Sequence, residues 1–317
     1  MLFRSDKLNI NWGLRGTLFQ NIGDATEYSM QDFEITDTIK YGKGEIYNTY
    51  FGLEPRFSAN YMLSSTSSFK ASYSRTRQYV QRASNSMAGT PIDVWFSASP
   101  YVKPQISDQV SLGYYRNFDN NSYEFSVEGY YKTMQNQIDF VDNAEVWLNE
   151  ELEKELRFGD AHSYGVEIVL RRKHKKLNGW ISYTYSRALR EFPGLNNGKA
   201  YNANYDKPHN LAIVLNYEFS DRIIASANWT YYTGNPITYP SMRFSYGNSD
   251  IPIYGERNKS RMPDYHRLDM SVTIRGKQHP DKSWYGEWNF SVYNAYNRSN
   301  AYSVYFQRDP DDLDKIK

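Results

Sequence analysis

The sequence lacks cysteine altogether, and it has no apolar run long enough to form a membrane-spanning helix. Without cysteine there is no disulfide framework and no thiolate metal centre, a composition that is compatible with an oxidising envelope compartment. A secretory signal is also missing, because the opening MLFRSDKLNINWG has no apolar core. These absences exclude the helical class of membrane proteins and the small disulfide-stabilised class of secreted domains.

Charge of either sign is not in excess, since Lys and Arg number 37 and Asp and Glu number 36. This balance gives no electrostatic reason to expect nucleic acid as a partner. Catalytic signatures are missing as well: the chain has no GxSxG elbow, no HExxH motif and no phosphate-cradling glycine loop. We therefore expect neither an enzyme nor a bound cofactor.

Tyrosine is the residue that the chain has in excess. It contains 30 Tyr, 16 Phe and 7 Trp, so that 17% of its residues are aromatic. Tyr and Trp favour membrane interfaces, where one end of the side chain is apolar and the other is wet. The mean hydropathy of −0.76 nevertheless resembles that of a water-soluble protein. A transmembrane β-barrel reconciles the two observations, because only alternate residues of each strand face lipid.

Side-chain polarity alternates with a period of two, which indicates β-strands with two different faces. In the segment NLAIVLNYEF, Leu211, Ile213 and Leu215 lie on one face, and Asn210 and Asn216 lie on the other. The segments SYEFSVEGYYK, HRLDMSVTI and EWNFSVYN repeat this pattern. The pattern predicts about eleven strands, near residues 6–20, 46–62, 68–82, 107–118, 122–140, 161–174, 179–191, 208–219, 222–235, 265–276 and 284–297.

The connections between these strands alternate between short and long. The short ones are residues 63–67, 119–121, 175–178, 220–221 and 277–283, and the long ones are residues 21–45, 83–106, 141–160, 192–207 and 236–264. All short turns therefore fall at one end of the sheet, as in an outer-membrane barrel with short periplasmic turns and long extracellular loops. The best helical pattern, at residues 144–157, falls in a long loop.

Strand length also favours a barrel over a soluble β-sandwich, the alternative for an alternating all-β chain. A tilted strand needs about nine to eleven residues to cross a bilayer, whereas strands of soluble proteins have about five or six. Aromatic residues near the strand ends fit interfacial girdles. These residues are Trp180, Trp229, Tyr231, Trp284 and Tyr296.

Eleven strands do not make a complete barrel, because bacterial single-chain barrels have an even number of strands. The polar ending DPDDLDKIK does not resemble a final strand, so the chain is expected to stop inside a loop. Met1 is interpreted as the start of a fragment, because an outer-membrane protein needs a secretory signal. An open sheet edge is not viable in lipid, so this polypeptide alone should not form a stable barrel.

Several stretches of the chain resemble the C-terminal half of TonB-dependent receptors, in particular the group that often carries an N-terminal carboxypeptidase-regulatory-like domain. The matching stretches are FGLEPRFSANYML (51–63), VKPQISDQVSLGYYRNF (102–118), GDAHSYGVEIVLRRKHKKLNGWISYTYSRALREF (159–192), YDKPHNLAIVLNYEFSDR (205–222), WTYYTGNPITYP (229–240), RMPDYHRLDMSV (261–272) and WNFSVYNAYNRSNAYSVYF (288–306). No single stretch is a chemical signature, but their order is specific to the family.

The resemblance implies a 22-stranded barrel that is plugged by an N-terminal domain and energised through the TonB complex. Residues 1–317 would form one partial barrel, lacking the plug, the first half of the barrel and the last strand. The expected location is the bacterial outer membrane, with lipid and lipopolysaccharide as neighbours. A surface lipoprotein is a compatible partner, although nothing in the chain requires one.

Ligand contact is expected from aromatic and basic side chains of the long loops, which can stack on rings and pair with anionic chelates. The alternative is that these residues pack the loops against each other and against lipopolysaccharide. The wider set is Trp95, Phe96, Tyr101, Trp147, Tyr201, Tyr205, Tyr239, Arg243, Tyr246, Tyr254, Arg257 and Arg261. From it we select Trp95, Trp147, Tyr201, Tyr205, Tyr239, Arg243, Arg257 and Arg261 as ligand-binding candidates.

Two His-containing segments, YDKPHN and DYHRLD, lie where a strand re-enters from an outer loop. His209 and His266, with Asp206 and Asp264, could form a metal site, but the recurrence favours hydrogen bonding at the barrel rim. No metal site is predicted. The acidic tail around Asp309 lacks the glycine and distal glutamate of a calcium-binding loop and is interpreted as solvated.

A row of lumen-facing carboxylates is the remaining candidate. The segment SYGVE places Ser163, Gly165 and Glu167 on one face, and Glu124 and Glu128 join them from the preceding strand. The functional interpretation is contact with the plug or a ligand. The favoured alternative is a polar wall whose charges pair with Arg171 or Arg187, with Gly165 marking a close backbone approach or a bulge.

The predicted function is energised uptake of a scarce nutrient, such as a siderophore, cobalamin or a glycan. This chain would supply barrel wall and loops. A passive porin-like or adhesin-like barrel without energy coupling is the alternative, and a soluble secreted β protein is a third interpretation.

Overall fold

The computed structural model describes residues 2–31, 34–83, 94–142, 144–146, 148–149, 151–174, 176–246, 249–277 and 284–304. In chain order the strands are β1 (Leu2–Arg4), β2 (Leu8–Ile22), β3 (Ala25–Gln31), β4 (Glu34–Tyr41), β5 (Ile46–Ser64), β6 (Ser67–Gln78), β7 (Val80–Ala83), β8 (Val94–Ser97), β9 (Gln105–Phe118), β10 (Tyr123–Phe140), β11 (Leu156–His174), β12 (Leu177–Glu191), β13 (Tyr201–Asn202), β14 (His209–Ser220), β15 (Ile223–Tyr232), β16 (Pro236–Ile237), β17 (Pro240–Tyr246), β18 (Ser249–Tyr254), β19 (Ser260–Arg261), β20 (Tyr265–Arg275) and β21 (Glu287–Val292). Helical structure in this part of the chain is limited to two 3-10 turns, Leu152–Glu155 and Asn196–Gly198.

One antiparallel sheet of 13 strands forms the wall of the molecule, in the order β1-β2-β5-β6-β9-β10-β11-β12-β14-β15-β20-β21 with β13 beside β12. Strands that follow each other along the chain are neighbours, which is the up-and-down arrangement of barrels. Over the described residues the sheet is not closed, since β1 and β21 form its two ends. No helix of this part of the chain is long and apolar enough to cross a membrane.

All eleven predicted strands are present, and the sequence-based limits differ from the observed ones by a few residues. The largest difference at a strand start is in β11, which begins at Leu156 rather than near residue 161. The extension occurs because Leu156 is fully buried and pairs with Phe140 at the outer end of β10. Among the described residues of 144–155, the helical structure is limited to the turn Leu152–Glu155, which agrees with the loop interpretation, whereas residues 156 and 157 belong to β11.

The length of the connections alternates as the sequence predicts. The turns 65–66, 119–122 and 221–222 and the connection from β11 to β12 lie at one end of the sheet, which we call the inner rim. The predicted short connection 277–283 lies outside the described residues except for residue 277. The long connections lie at the opposite end, the outer rim. They carry the extra hairpins β3–β4, β7–β8 and β17–β18, together with the short pair β16–β19. These loop strands have no strong alternation in the sequence and were not predicted.

The two faces of the wall differ in polarity. Tyr164, Val166, Ile168 and Leu170 of β11 share one face, and each is between 37% and 42% exposed. They continue on neighbouring strands as an apolar surface of the kind that faces lipid. The opposite, polar face includes Glu167 and corresponds to the lumen side of a barrel.

Trp180 is an exception to the predicted aromatic girdles. It lies in register with Arg171 and Val214 on the polar face, whereas its neighbour Ile181 is 42% exposed on the apolar face. Proximity to a strand end cannot distinguish the two faces, because successive side chains point to opposite sides of the sheet. Trp180 therefore belongs to the lumen wall.

The buried core lies among the outer loops rather than in the wall. Phe96, Val102, Ile138, Phe140 and Leu156 form its main cluster, in which each side chain is at most 7% exposed. These residues come from the β7–β9 loop region and from the outer ends of β10 and β11. The outer loops therefore pack as a globular body at the rim of the sheet.

Candidate functional site in the outer loops and lumen wall

Asp139, near the outer end of β10, is the centre of a buried polar cluster. Its carboxylate accepts hydrogen bonds from Arg190 Nη1 at 2.9 Å, from Arg257 Nη2 at 3.1 Å and from the Tyr201 hydroxyl at 2.8 Å. The side chain of Asp139 is 8% exposed, and those of Arg190 and Arg257 are 15% and 19% exposed. Two guanidinium groups therefore share one carboxylate in a setting that is largely shielded from water.

Tyr201 is held in this cluster by more than its hydroxyl. The Arg257 guanidinium lies over the Tyr201 ring at 5.4 Å. Burial raises the pKa of the Tyr201 hydroxyl well above its ordinary value, and the negative charge of Asp139 raises it further. The hydroxyl is consequently a fixed hydrogen-bond donor to Asp139 throughout the physiological range of pH.

Asp206, in the loop between β13 and β14, forms a second cluster of the same design. Its side chain is fully shielded and accepts the backbone N–H of Ala188 at 2.6 Å. Arg261 donates to the same carboxylate, and Arg187 Nε lies 3.4 Å from it. Arg261 also donates to the backbone carbonyls of Asp206, at 2.8 Å, and Gly234, at 3.1 Å. This cluster joins β12 to two outer loops.

Asparagine side chains complete the connection between these loops. Asn258 Nδ2 donates to the Asn202 carbonyl at 2.8 Å and to Asn204 Oδ1 at 2.7 Å. Asn202 Nδ2 in turn donates a hydrogen bond to the Asn258 carbonyl at 2.9 Å. Asn258 adopts a positive φ of 53°, a conformation that Asn tolerates better than most residues.

Three outer loops are therefore tied into one body. Arg257 extends the ties to the loop after β10, where it donates to the Phe140 carbonyl at 3.1 Å and to Asp142 at 3.0 Å. We call residues 141–155, 192–208 and 233–264 together the loop platform. Most of these ties are buried or partly buried, and the Arg257–Asp142 contact is exposed. The described residues of the platform are therefore held together rather than forming three independent loops.

Six of the eight ligand-binding candidates divide between the interior and the surface of the outer loops. Tyr201, Arg257 and Arg261 are internal ties of the platform, and Tyr239 is half-buried with its hydroxyl 3.4 Å from the Arg261 carbonyl. Trp95, in β8, is 65% exposed, and Tyr205 is 62% exposed. Arg243 is placed by its backbone in β17, and Trp147 lies outside the described residues.

The structure also shows functional residues that the sequence reasoning missed. Asp139, Arg190 and Asn258 organise the platform, yet none belongs to a recognisable motif. Arg187 was expected to pair with lumen glutamates but pairs with Asp206 instead. The only local signal is the position of Asp139 within an otherwise apolar stretch, IDFV, at a strand end.

The two His residues are hydrogen-bonded at the outer rim, as the rim interpretation predicts. His209 Nδ1 lies 2.9 Å from the Tyr183 hydroxyl, and His266 Nδ1 lies 2.8 Å from the Tyr296 hydroxyl. Over the described stretches of the chain, no group of three or more metal-binding side chains comes together. The tail around Asp309 lies outside the described residues.

Asp264 attaches a loop of the platform to the rim. It accepts the Tyr231 hydroxyl at 2.7 Å and the Gly234 N–H at 3.0 Å. Burial by itself would raise the pKa of the Asp264 carboxyl. The Gly234 and Tyr231 hydrogen bonds and the nearby positive charge of Arg261 outweigh this effect, so the pKa lies below its ordinary value.

The lumen carboxylates are partly paired, which supports the favoured interpretation for one of them. Glu124 binds Lys173 at 2.6 Å and Arg171 at 3.3 Å. Glu128 accepts the Tyr115 hydroxyl at 2.5 Å and faces Glu167 across the sheet.

Gly165 lies in uninterrupted register, so it marks a close approach rather than a bulge. A Cβ atom at this position would lie 2.7 Å from the Tyr185 carbonyl and 2.8 Å from the Tyr130 ring. The missing side chain therefore makes room for Tyr130 on the lumen wall.

An up-and-down antiparallel wall with an apolar outer face, a polar inner face and long loops at one rim defines the chain as part of a transmembrane β-barrel. A sequence profile of the family described as "TonB dependent receptor-like, beta-barrel" matches residues 2–297, and the chain belongs to this family of outer-membrane transport receptors.

Solved structures with the same fold are members of that family. The ferric-catecholate import receptor Fiu from E. coli K12, in its closed form, is 14% identical over 93% of this chain and 39% of Fiu, with a TM-score of 0.59. The ferripyoverdine receptor of Pseudomonas aeruginosa is 15% identical over 94% of this chain and 34% of the receptor, with a TM-score of 0.58. The copper transporter OprC is 13% identical over 94% of this chain and 42% of OprC, with a TM-score of 0.59.

The chain therefore spans between 34% and 42% of the length of these three proteins. At this level of identity the likeness concerns the fold. No curated protein sequence matches the chain significantly. The predicted family, the all-β barrel class and the outer-membrane location are confirmed.

Proposed function

We propose that this chain forms wall and outer loops of a receptor that takes up a scarce nutrient across the outer membrane with energy from the TonB complex. Residues 1–317 would be one partial barrel, completed in the whole protein by the other strands and by a plug domain. The observation that carries the proposal is the loop platform, a rigid multi-loop surface at the outer end of a polar wall. A passive pore does not need such a surface, whereas a receptor gains from a preorganised one.

The exposed aromatics Trp95 and Tyr205 are proposed as ligand contacts, in a role distinct from that of the platform ties. Their rings are more than 60% exposed on the side of the loops, where they can stack on the ring of a chelate or sugar. The platform ties Tyr201, Arg257 and Arg261 would act by fixing the surface. Metal chelates are the first cargo class to test, because ferric-chelate and copper carriers share the fold.

The test is uptake by cells that express the whole protein, with a radiolabelled ferric catechol chelate as the first probe. Saturable uptake that stops when a protonophore collapses the energised membrane supports an active receptor. Uptake that is not saturable and survives the protonophore supports the passive porin instead. Specific cell-surface adhesion without any uptake supports the adhesin.

The contact residues are tested in the same assay. Trp95→Ala and Tyr205→Ala should each raise the half-saturating concentration by about threefold to tenfold, the effect of losing one aromatic contact. Leu148→Ala is the control, because Leu148 is a large exposed side chain of the loop platform, 88% exposed, without an aromatic ring. An equal effect of all three changes would contradict the assignment.

A further inference from the structure

The basic hairpin between β11 and β12 concentrates positive charge at the inner rim. The run RRKHKK occupies positions 171–176, although the chain as a whole has a net charge of only +1. Lys173 and Lys176 are exposed on this hairpin. This local excess of positive charge is not balanced within the run itself, so its negatively charged partners must come from elsewhere.

Alternation divides this run between the two faces of the wall. Arg171 and Lys173 face the lumen, where Glu124 neutralises both. Arg172 shares the lipid-facing row of Leu170 and Ile168, and within the described part of the chain it has no carboxylate partner. Its guanidinium lies over the Tyr123 ring at 5.5 Å, and its Nε is shielded from water without a hydrogen-bond partner among the described residues.

Arg116 of β9 lies on the same lipid-facing side. It is in register with Phe125, which is itself opposite Leu170 on the apolar face. Arg116 is exposed, and the structure gives it no hydrogen bond or ion pair within the described part of the chain. Two guanidinium groups without acidic partners among the described residues therefore lie where the apolar surface ends, on β9 and β11, the two strands that flank β10.

Two aromatic rings lie on the same face of the wall between these two cations. Phe118 and Tyr123 stack with their centroids 5.2 Å apart and their planes at 3°, and Tyr123 is in register with both Phe118 and Arg172. We call Arg116, Phe118, Tyr123 and Arg172 the inner-rim patch. An acyl chain can lie on the rings and on Phe125 above them, while an anionic group reaches the guanidiniums.

We propose that the inner-rim patch binds the phosphate headgroup of an anionic phospholipid in the inner leaflet of the membrane. A phosphate offers several oxygens to the two guanidinium groups, and Arg binds phosphate in a two-pronged geometry. The partner must carry its negative charge next to an apolar chain, which a phospholipid does and a soluble acidic protein does not. The inference rests on the membrane orientation in the proposed function but not on uptake.

The experiment uses the purified whole protein in neutral detergent, with native mass spectrometry to count bound phosphatidylglycerol, phosphatidylcholine or inorganic phosphate. Arg116→Gln with Arg172→Gln should reduce phosphatidylglycerol binding by about tenfold or more, because the variant removes both cations that attract the anionic headgroup. Arg171→Gln with Lys173→Gln is the matched control, since it removes the same charge from the same rim on the opposite face. Arg116→Gln alone, at an exposed and unpartnered position, should give an intermediate loss without any effect on folding.

Each other outcome overturns the inference. Equal loss in the two double variants would mean general attraction to a basic rim. Equal binding of phosphatidylglycerol and phosphatidylcholine by the unaltered protein would mean that no headgroup site exists. Binding of inorganic phosphate alone in the same range would assign the patch to a free anion. If lipid selectivity holds while chelate uptake fails, the proposed function is wrong and this inference stands.

Discussion

The wall and the loop platform differ in which side chains they bury. In the wall, apolar residues such as Val166 and Leu170 remain exposed, and backbone hydrogen bonds between strands supply the order. At the outer strand ends and in the outer loops, apolar residues such as Phe140 and Phe192 are fully buried, and acidic side chains such as Asp139 are buried with them. The wall is built for lipid on one face, whereas the platform is built like a small water-soluble domain.

This difference assigns different consequences to the same kind of substitution. A charge is costly on the apolar face of the wall because lipid cannot solvate it. In the platform a charge is costly only when its partner is removed, because the pair was buried together. The predictions below test this contrast in the whole protein, from the largest expected effect to the smallest.

Loss of the Asp139 charge should have the largest effect. Asp139→Asn leaves the buried guanidinium of Arg190 without a counter-charge, and it leaves Arg257 with only the exposed Asp142. The loop platform should be destabilised by about 3 to 5 kcal/mol. Hydrogen exchange should then speed up in residues 192–208 and 233–264, while the long wall strands β11, β12, β14 and β15 remain protected. The measurement is hydrogen-exchange mass spectrometry in detergent.

Glu256→Gln is the control for that change. Glu256 pairs with Lys259 at 3.0 Å and Lys199 at 3.7 Å, but these side chains are exposed, and exposed pairs contribute little. No measurable change in exchange is expected. If Asp139→Asn leaves the exchange of both loops unchanged, the three loops are not held together by this cluster.

A charge on the lipid face of the wall should have the next largest effect. Ile168→Arg should lower the free energy of unfolding in lipid vesicles by about 2 to 4 kcal/mol, the cost of Arg near the middle of a bilayer. Val169→Arg is the matched change on the adjacent residue, which lies opposite Ser126 and Ser182 on the lumen face. It should be tolerated. Equal costs at the two positions would refute the assignment of faces.

Gly165 provides a smaller test within the wall. Gly165→Ala places a Cβ atom 2.7 Å from a backbone carbonyl, and such overpacking costs about 1 to 3 kcal/mol. Gly129→Ala is the control, because its nearest neighbour would be at 3.8 Å. The free energy of unfolding of each variant is measured in vesicles with urea or guanidinium. We expect a loss of stability in Gly165→Ala and none in Gly129→Ala.

Acid should act weakly at the junction between wall and platform. The folded pKa of Asp264 lies below its ordinary value, so its contribution is present above the unfolded pKa of about 3.9 and is lost as the pH falls through the folded pKa. Protease cleavage of residues 233–264 should therefore stay constant from neutral pH to about pH 4 and rise below it. Asp264→Asn should abolish this dependence, and a rise already at pH 6 would contradict the assignment.

The wall could be predicted from the sequence because its signals are local. The alternation of polar and apolar side chains in a strand such as β14 depends only on residues that are adjacent in the sequence. The length of a connection follows once the two strands that it joins have been located. The ordered resemblance to the family then supplied the location. The girdle position of Trp180 was wrong because closeness to a strand end does not define a face. The hairpins inside the loops were missed because they show little alternation.

The candidate site was predicted only as a set of residues in the right loops. Tyr201, Arg257 and Arg261 were chosen for their ligand chemistry, and the structure places all three among the platform ties. Their partners could not be found by pattern, because Asp139 is 51, 62 and 118 residues from Arg190, Tyr201 and Arg257. Trp95 and Tyr205 keep the exposure that a ligand contact needs, and their role stays a prediction.

The sequence by itself determined the strands, their two faces, the rim that carries the long loops and the family, since each depends on residues that are neighbours in the chain. Only the tertiary structure decided which loop side chains are tied inside the platform and which remain exposed. It also decided which cations of the basic hairpin meet a carboxylate and which face lipid. Those outcomes depend on contacts between segments that are distant in the sequence. Such contacts form only when the sheet brings the strand ends together.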